Sequence, residues 1–180
     1  MEVNNLKSNQ NTVKDLVTKL GDGDGFVREK SRLALADIGK AAVPLLIEAL
    51  TSNREQVRWE AAKTLISIAD PIAIPALIKA LQDKVFDIRW LAAEALIATG
   101  TESIEPLLQA VVDQSNESFL HEGAHHVVTY LMHSISQASE LNEILKPVKE
   151  ALDSTAPMVV GTAAAEIALR KLKELRQINQ

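Results

Sequence analysis

Apolar residues recur along this chain at helical spacing, and the helical blocks themselves repeat. Val57-Arg58-Trp59-Glu60-Ala61-Ala62 returns 31 residues later as Ile88-Arg89-Trp90-Leu91-Ala92-Ala93. Pro44, Pro75 and Pro106 keep the same 31-residue step, each within a short apolar run. A fixed period of this length predicts a solenoid of stacked two-helix units. One such unit cannot cover its own apolar face and has to bury it against its neighbours.

Alignment on that period separates two kinds of helix. The first kind covers residues 43–50, 74–81 and 104–111, with a proline in the first turn, where a missing N–H has no helical partner to lose. The second kind starts at Val27-Arg28, Val57-Arg58 and Ile88-Arg89. Gly39 and Gly100 close two of these helices, since glycine takes the left-handed conformation that ends a helix. Polar turns at 21–25, 51–55 and 82–84 join the first kind to the second. Residues 12–20 read as a first-kind helix without its proline, 145–152 as one that carries Pro147, and 159–172 as a last second-kind helix.

The expectation is an all-α, right-handed α-solenoid of about five helix pairs. It has a flexible polar N-terminus at 1–11 and a single solenoid domain over 12–180. The step from Phe119 to Val159 is 40 residues, which predicts an irregular, longer fourth repeat at about 115–155 with extra residues around 131–142. Charged residues at 170–176 suit the end of a stack.

Composition narrows the classes. Apolar residues make up 47% of the chain and aromatic ones only 3%, so the core is built from Ala, Leu, Ile and Val. The net charge of −5 gives no basic stripe for a nucleic-acid partner. With no cysteine there are no disulfides, thiolate metal sites or Cys nucleophile, which fits a reducing compartment. No apolar run reaches membrane-spanning length and the N-terminus lacks an apolar signal core, so the expected location is the cytoplasm.

The first-helix proline, the Val-Arg-x-x-Ala-Ala start and a turn Asp six residues before an Arg resemble the short HEAT-repeat class. That class includes the HEAT-like repeats of phycobilin lyases, and the resemblance covers about residues 12–175. Asp22 with Arg28 and Asp83 with Arg89 keep the Asp–Arg spacing, while Ser52 precedes Arg58. The resemblance implies that these residues form a structural ladder between repeats and that second-kind helices line the concave side. Trp59, Trp90 and His121 then share one repeat position, held by Glu29 in the first unit. Leu33, Lys63, Glu94 and His125 make the next column, since i and i+4 share a helix face. Two readings of the tryptophans follow: they anchor a partner in the groove, or they stack on each other and staple adjacent repeats.

All four histidines, His121, His125, His126 and His133, lie within thirteen residues. His121-Glu122-Gly123-Ala124-His125 matches the His-Glu-x-x-His pattern, in which two histidines hold zinc and the glutamate activates its water. A third ligand would come from Glu140 or Glu143, because Val128 and Leu131 stand where a metzincin has its Gly and third His. No metal is expected, and His121 and His125 are the candidate histidine ligands if one binds. The chain also resembles deoxyhypusine hydroxylase, a HEAT-repeat protein whose di-iron ligands are His-Glu pairs. Here only His121-Glu122 fits, against Glu29-Lys30, Trp59-Glu60 and Trp90-Leu91, which excludes that centre. His126 aligns with Ala34, Thr64 and Ala95, a place for small buried residues, so either the fourth helix is rotated or a cavity opens beside Tyr130 and His133. Residues 21–25 imitate half a calcium loop but read as a plain turn.

The functional expectation is a non-enzymatic interaction scaffold that binds a protein or peptide on its concave face. Trp59 and Trp90 anchor the partner, while Glu60, Lys63, Glu94, His121 and His125 set specificity. No cofactor, nucleic acid or membrane is involved, and a monomer is favoured. The alternative that the resemblance implies is a bilin-handling, lyase-like subunit or phycobilisome-associated factor, acting with a partner and holding a linear bilin in the same groove. A third reading, a metal-dependent hydrolase, rests on His121, Glu122 and His125 alone.

Overall fold

The computed structural model describes residues 2–134 and 139–178, with side chains from residue 11 onward. Ten α-helices make up the described chain: α1 (Glu2–Lys19), α2 (Gly25–Ile38), α3 (Val43–Ala49), α4 (Glu55–Ile68), α5 (Ile74–Ala80), α6 (Phe86–Ala98), α7 (Ile104–Asp113), α8 (Ser118–Ser134), α9 (Glu140–Leu152) and α10 (Pro157–Ile178). No strand occurs among the described residues. Three 3-10 turns, Gly39–Ala42, Pro71–Ala73 and Gly100–Ser103, lead into α3, α5 and α7. The polar segment that the sequence reading sets apart as 1–11 is helical from Glu2 and continues into the first-kind helix.

The even-numbered helices α2, α4, α6 and α8 pack on one another in order, while α1, α3, α5 and α7 touch their like neighbours less. A row packed more closely than the row behind it lies inside a curve, so α2 to α8 line the concave side of an all-α solenoid. Its core is one continuous seam of Leu, Ile, Val and Ala. Leu35, Leu65, Leu96 and Val128 form one buried column, and Leu46, Leu77 and Leu107 form another. Between them Ala61, Ala92, Ala95 and Ala124 are buried, and side chains this small let helix backbones approach closely.

Burial corrects the register that the prolines suggest. The buried set Ile74, Leu77 and Ile78 returns as Ile104, Leu107 and Leu108, a step of 30. Pro106 therefore stands one position deeper in α7 than Pro75 does in α5. The turn before α8 restores the lost residue and adds another: Leu65, Leu96 and Val128 are spaced 31 and then 32 apart. The rotation that His126 hinted at is real, and it amounts to one residue.

The terminal pair departs from the array. Helix α10 packs on α9 and on the first-kind helix α7, and only lightly on α8, so it does not extend the concave row as a second-kind helix would. Its charged end carries Arg176, which pairs with Glu105 of α7. Its first half exposes Met158, Val159, Val160 and Ile167, so charge caps only part of this end. Pro147 lies in the interior of α9 rather than in a first turn, because the helix begins at Glu140. Part of the expected insertion is extra helix, with 17 residues in α8 against 14 in α4; its residues 135–138 lie outside the described residues.

Candidate functional site

The concave face carries three hollows that share walls. One of about 510 Å³ is lined by Arg28, Arg32, Trp59, Glu60 and Lys63 with acidic residues at its rim. The next, about 430 Å³, is bounded by Trp59, Phe86, Asp87, Trp90 and Leu91. The third, about 230 Å³ and more enclosed, adds Arg89, Phe119, Glu122, His125 and His126 to the shared Phe86 and Trp90. Trp59 links the first hollow to the second, and Phe86 and Trp90 link the second to the third.

The two tryptophans line one hollow but make no ring contact with each other. Lys63 Nζ sits 4.5 Å from the Trp59 ring centre. Trp90 lies 4.4 Å from the His126 ring and 6.4 Å from Phe86, centre to centre. The stacked-staple reading therefore fails, and Trp90 remains 48% exposed to the cleft.

Below the rings an arginine ladder fixes the repeats. Arg28, Arg58 and Arg89 each donate from Nη1 to the carbonyl six residues back, at Asp22 (2.8 Å), Ser52 (2.9 Å) and Asp83 (2.9 Å). These bonds hold each polar turn against the helix it precedes. Only Arg58 completes an arginine–aspartate rung to the next repeat, through Nε to Asp83 Oδ2 (2.6 Å) and Nη2 to Asp83 Oδ1 (3.0 Å). Burial pushes the Asp83 carboxyl up, but Arg58 and the Val85 N–H outweigh it and hold it below the usual carboxylate range. Arg28 meets Glu60 instead, at 3.3 Å, because Ser52 stands at the next turn. Arg89 has a third arrangement, with its guanidinium over the Phe119 ring at 4.0 Å and the Phe86 ring at 5.5 Å. Asp22 turns its carboxylate back to the Asp24 N–H at 2.8 Å, so it caps its own turn and makes no carboxylate rung.

Several expected contact residues sit elsewhere. Glu60 is 5% exposed and lies between Arg28 and Arg32, each at 3.3 Å, so it is a structural hub and not a specificity contact. His121 is 2% exposed, and its ring nitrogens make no well-formed hydrogen bond. Burial pushes its pKa down, against the pull of the nearby Ser115 and Pro157 carbonyls. The one-residue shift explains this: Glu122, not His121, stands at the position of Trp59 and Trp90, and His126, not His125, aligns with Lys63 and Glu94. His126 Nε2 lies 2.9 Å from Glu94 Oε1, and since a carboxylate only accepts, Nε2–H is the donor. His125 instead reaches Asp153 Oδ1 at 2.7 Å. Lys149 first, and then His125, hold that carboxyl below its usual range. His121 and His125 thus occupy different surroundings, and among the described residues no group of three His, Asp or Glu side chains is placed to hold a metal ion.

Phe86, Phe119, Arg32 and Asp153 escaped the sequence reading. With 3% aromatic residues in the chain, every phenylalanine outside an apolar stripe was a signal. Gly123 has a packing reason: a Cβ there would come within 2.8 Å of the buried Leu81 side chain, so the glycine lets α8 pack against Leu81.

Residues 43–125 match the family of HEAT repeats, and residues 27–52 match the PBS lyase HEAT-like repeat. HEAT repeats therefore span residues 27–125 of the chain. Among solved structures it is similar to the complex of CpcE and CpcF of phycocyanin lyase from Nostoc sp. PCC7120. The match has 24% identity and a TM-score of 0.55, and covers 87% of this chain and 96% of that one. An engineered protein is also similar, at 24% identity and a TM-score of 0.44 over 90% of this chain and 79% of the other. No curated protein matches in sequence. Among the described residues, no helix is long and apolar enough to cross a membrane.

Proposed function

We propose that this protein is a bilin-handling subunit of the phycobilin-lyase type, which holds a linear tetrapyrrole in its concave cleft. The observation that carries the reading is the aromatic strip Trp59, Phe86, Trp90 and Phe119 running through connected hollows, with Lys63 and Arg89 lying over its rings. A planar conjugated ligand with anionic side groups fits such a strip. Ring faces cover its body, and cations meet its carboxylates. The PBS lyase HEAT-like repeat and the likeness to the CpcE and CpcF complex support it. The chain acts by binding and presentation, and a protein partner completes the assembly. A rigid array suits this role, because a preformed cleft loses little conformational freedom on binding.

Titration with biliverdin tests the proposal. Binding induces visible circular dichroism in the chromophore and quenches tryptophan fluorescence. Changing Trp59 and Trp90 to Ala, which removes both tryptophans of the chain, abolishes the induced dichroism while the melting temperature holds. A chromophore whose spectrum stays as in buffer at saturating protein would sink the reading.

A second reading keeps the cleft and changes the ligand to a protein or peptide. It is favoured by the first hollow, whose floor sets Arg28, Arg32 and Lys63 among Glu29, Glu55 and Asp87. Mixed charge of that kind suits a polar chain better than a dianion. Peptides selected on the wild type and lost by the Trp90→Ala variant would support it over the bilin.

A further inference from the structure

We infer that Arg89 is a carboxylate anchor, the point where the cleft grips an acid carried on a planar conjugated body. This deepens the bilin reading and rests on it only for the identity of the ligand. Three arginines hold equivalent ladder positions, and two of them are neutralised: Arg58 by Asp83 and Arg28 by Glu60. Arg89 has no carboxylate partner among the described residues, because Gln114 stands a repeat beyond Asp83 and bonds to Gln82 at 2.8 Å. Its one hydrogen bond, Nη1 to the Asp83 carbonyl, leaves Nε and Nη2 without partners.

Those two N–H groups form the edge of the guanidinium that meets a carboxylate in a two-pronged pair. Phe119 and Phe86 flank the guanidinium, whose carbon lies 4.0 Å and 5.5 Å from their ring centres, and Arg89 lines the hollow beside them. Ring contacts of this kind hold the cation without neutralising it. The same hollow presents the Trp90 ring and the His126 ring, flat surfaces for the body of the ligand. The acid that lines it, Glu122, is exposed at the rim, where water screens it, and Glu94 outside the lining is engaged by His126.

Acids and their neutral counterparts decide the matter. Biliverdin is compared with its dimethyl ester, and pyrenebutyrate with pyrenebutanol, by tryptophan quenching. The wild type should hold each acid about tenfold or more tightly than its neutral partner, the size of a charge-assisted hydrogen-bonded pair. Arg89→Gln should erase that preference and leave binding of the neutral compounds unchanged. Arg89→Lys, which keeps the charge but loses the planar fork, should restore only part of it, and Glu122→Gln should strengthen it. If Arg89→Gln fails to fold, the wild-type acid preference and the Arg89→Lys and Glu122→Gln variants still carry the test. Preference for pyrenebutyrate through Arg89, with no binding of biliverdin, would overturn the bilin reading and keep the anchor. Equal binding of acid and neutral forms in both pairs, or no binding of either acid at millimolar concentration, would overturn the anchor.

Discussion

Glu94 and His126 meet across adjacent repeats, His126 Nε2 to Glu94 Oε1 at 2.9 Å, although a fixed 31-residue period pairs Glu94 with His125. The pair reports the one-residue slip that turns His121 inward and His126 toward the cleft. The chain has no cysteine, so paired cysteines can be introduced on a clean background. With a short thiol crosslinker, Glu94→Cys/His126→Cys should close rapidly and Glu94→Cys/His125→Cys slowly. Equal rates would mean that α8 is not rotated as described.

The rung between Arg58 and Asp83 is buried, with side-chain exposures of 7% and 10%. Removing one partner strands the other, so Asp83→Ala should cost about 3 kcal/mol in chemical denaturation. An Arg58→Met/Asp83→Leu double change should recover most of that loss, because apolar packing replaces the pair.

That rung also sets an acid limit. The folded Asp83 carboxyl sits below its unfolded value of about 3.9. Its stabilisation is therefore complete above that pH and is lost as pH falls through the folded value. An Asp83→Asn variant should lose less stability between pH 4 and pH 2 than the wild type does, as read by melts across that range.

His121 acts in a higher window. Its folded pKa lies below the unfolded value of about 6.5, because burial disfavours the charged ring. Below that value the unfolded chain takes up the proton more readily, so stability falls as pH drops from about 6.5 toward the folded value. His121→Leu should gain about 1 kcal/mol at pH 7, since two buried nitrogens without good partners are removed. It should also flatten the melting temperature between pH 7 and pH 5. An unchanged slope would place the pH response elsewhere.

Ala69 has left-handed backbone, φ 50° and ψ 41°, at the turn where the neighbouring repeats place Gly39 and Gly100, which also have positive φ. A side chain in that conformation costs roughly 1–2 kcal/mol. Ala69→Gly should therefore raise the unfolding free energy by about 1 kcal/mol, or Tm by a few degrees. A loss of stability would show that Ala69 earns its place through packing.

The histidine cluster shows where a sequence reading stops. His121-Glu122-Gly123-Ala124-His125 has the spacing of a metal motif, but spacing along a helix does not say which way the helix faces. Burial of Leu120, Ala124, Val127 and Val128 sets that facing, and it sends His121 into the core and His125 to Asp153. Arg89 is a similar case. Its repeat position marks it as a ladder residue, and only the absence of a facing carboxylate and the nearness of Phe119 give it another part.

The sequence by itself determined the helix kinds and turns of the array, while the inner face and the arginine ladder were implied by its resemblance to HEAT repeats. The array follows from local periodicity and from the need of each unit to cover its apolar stripe. The tertiary structure alone decided the register of α8, the outward placing of α10 and the meeting of Trp90, His126, Arg89 and Phe119 in one hollow. Those depend on how closely neighbouring helices approach, and a rotation of one residue, set by core packing, exchanges a buried side chain for an exposed one.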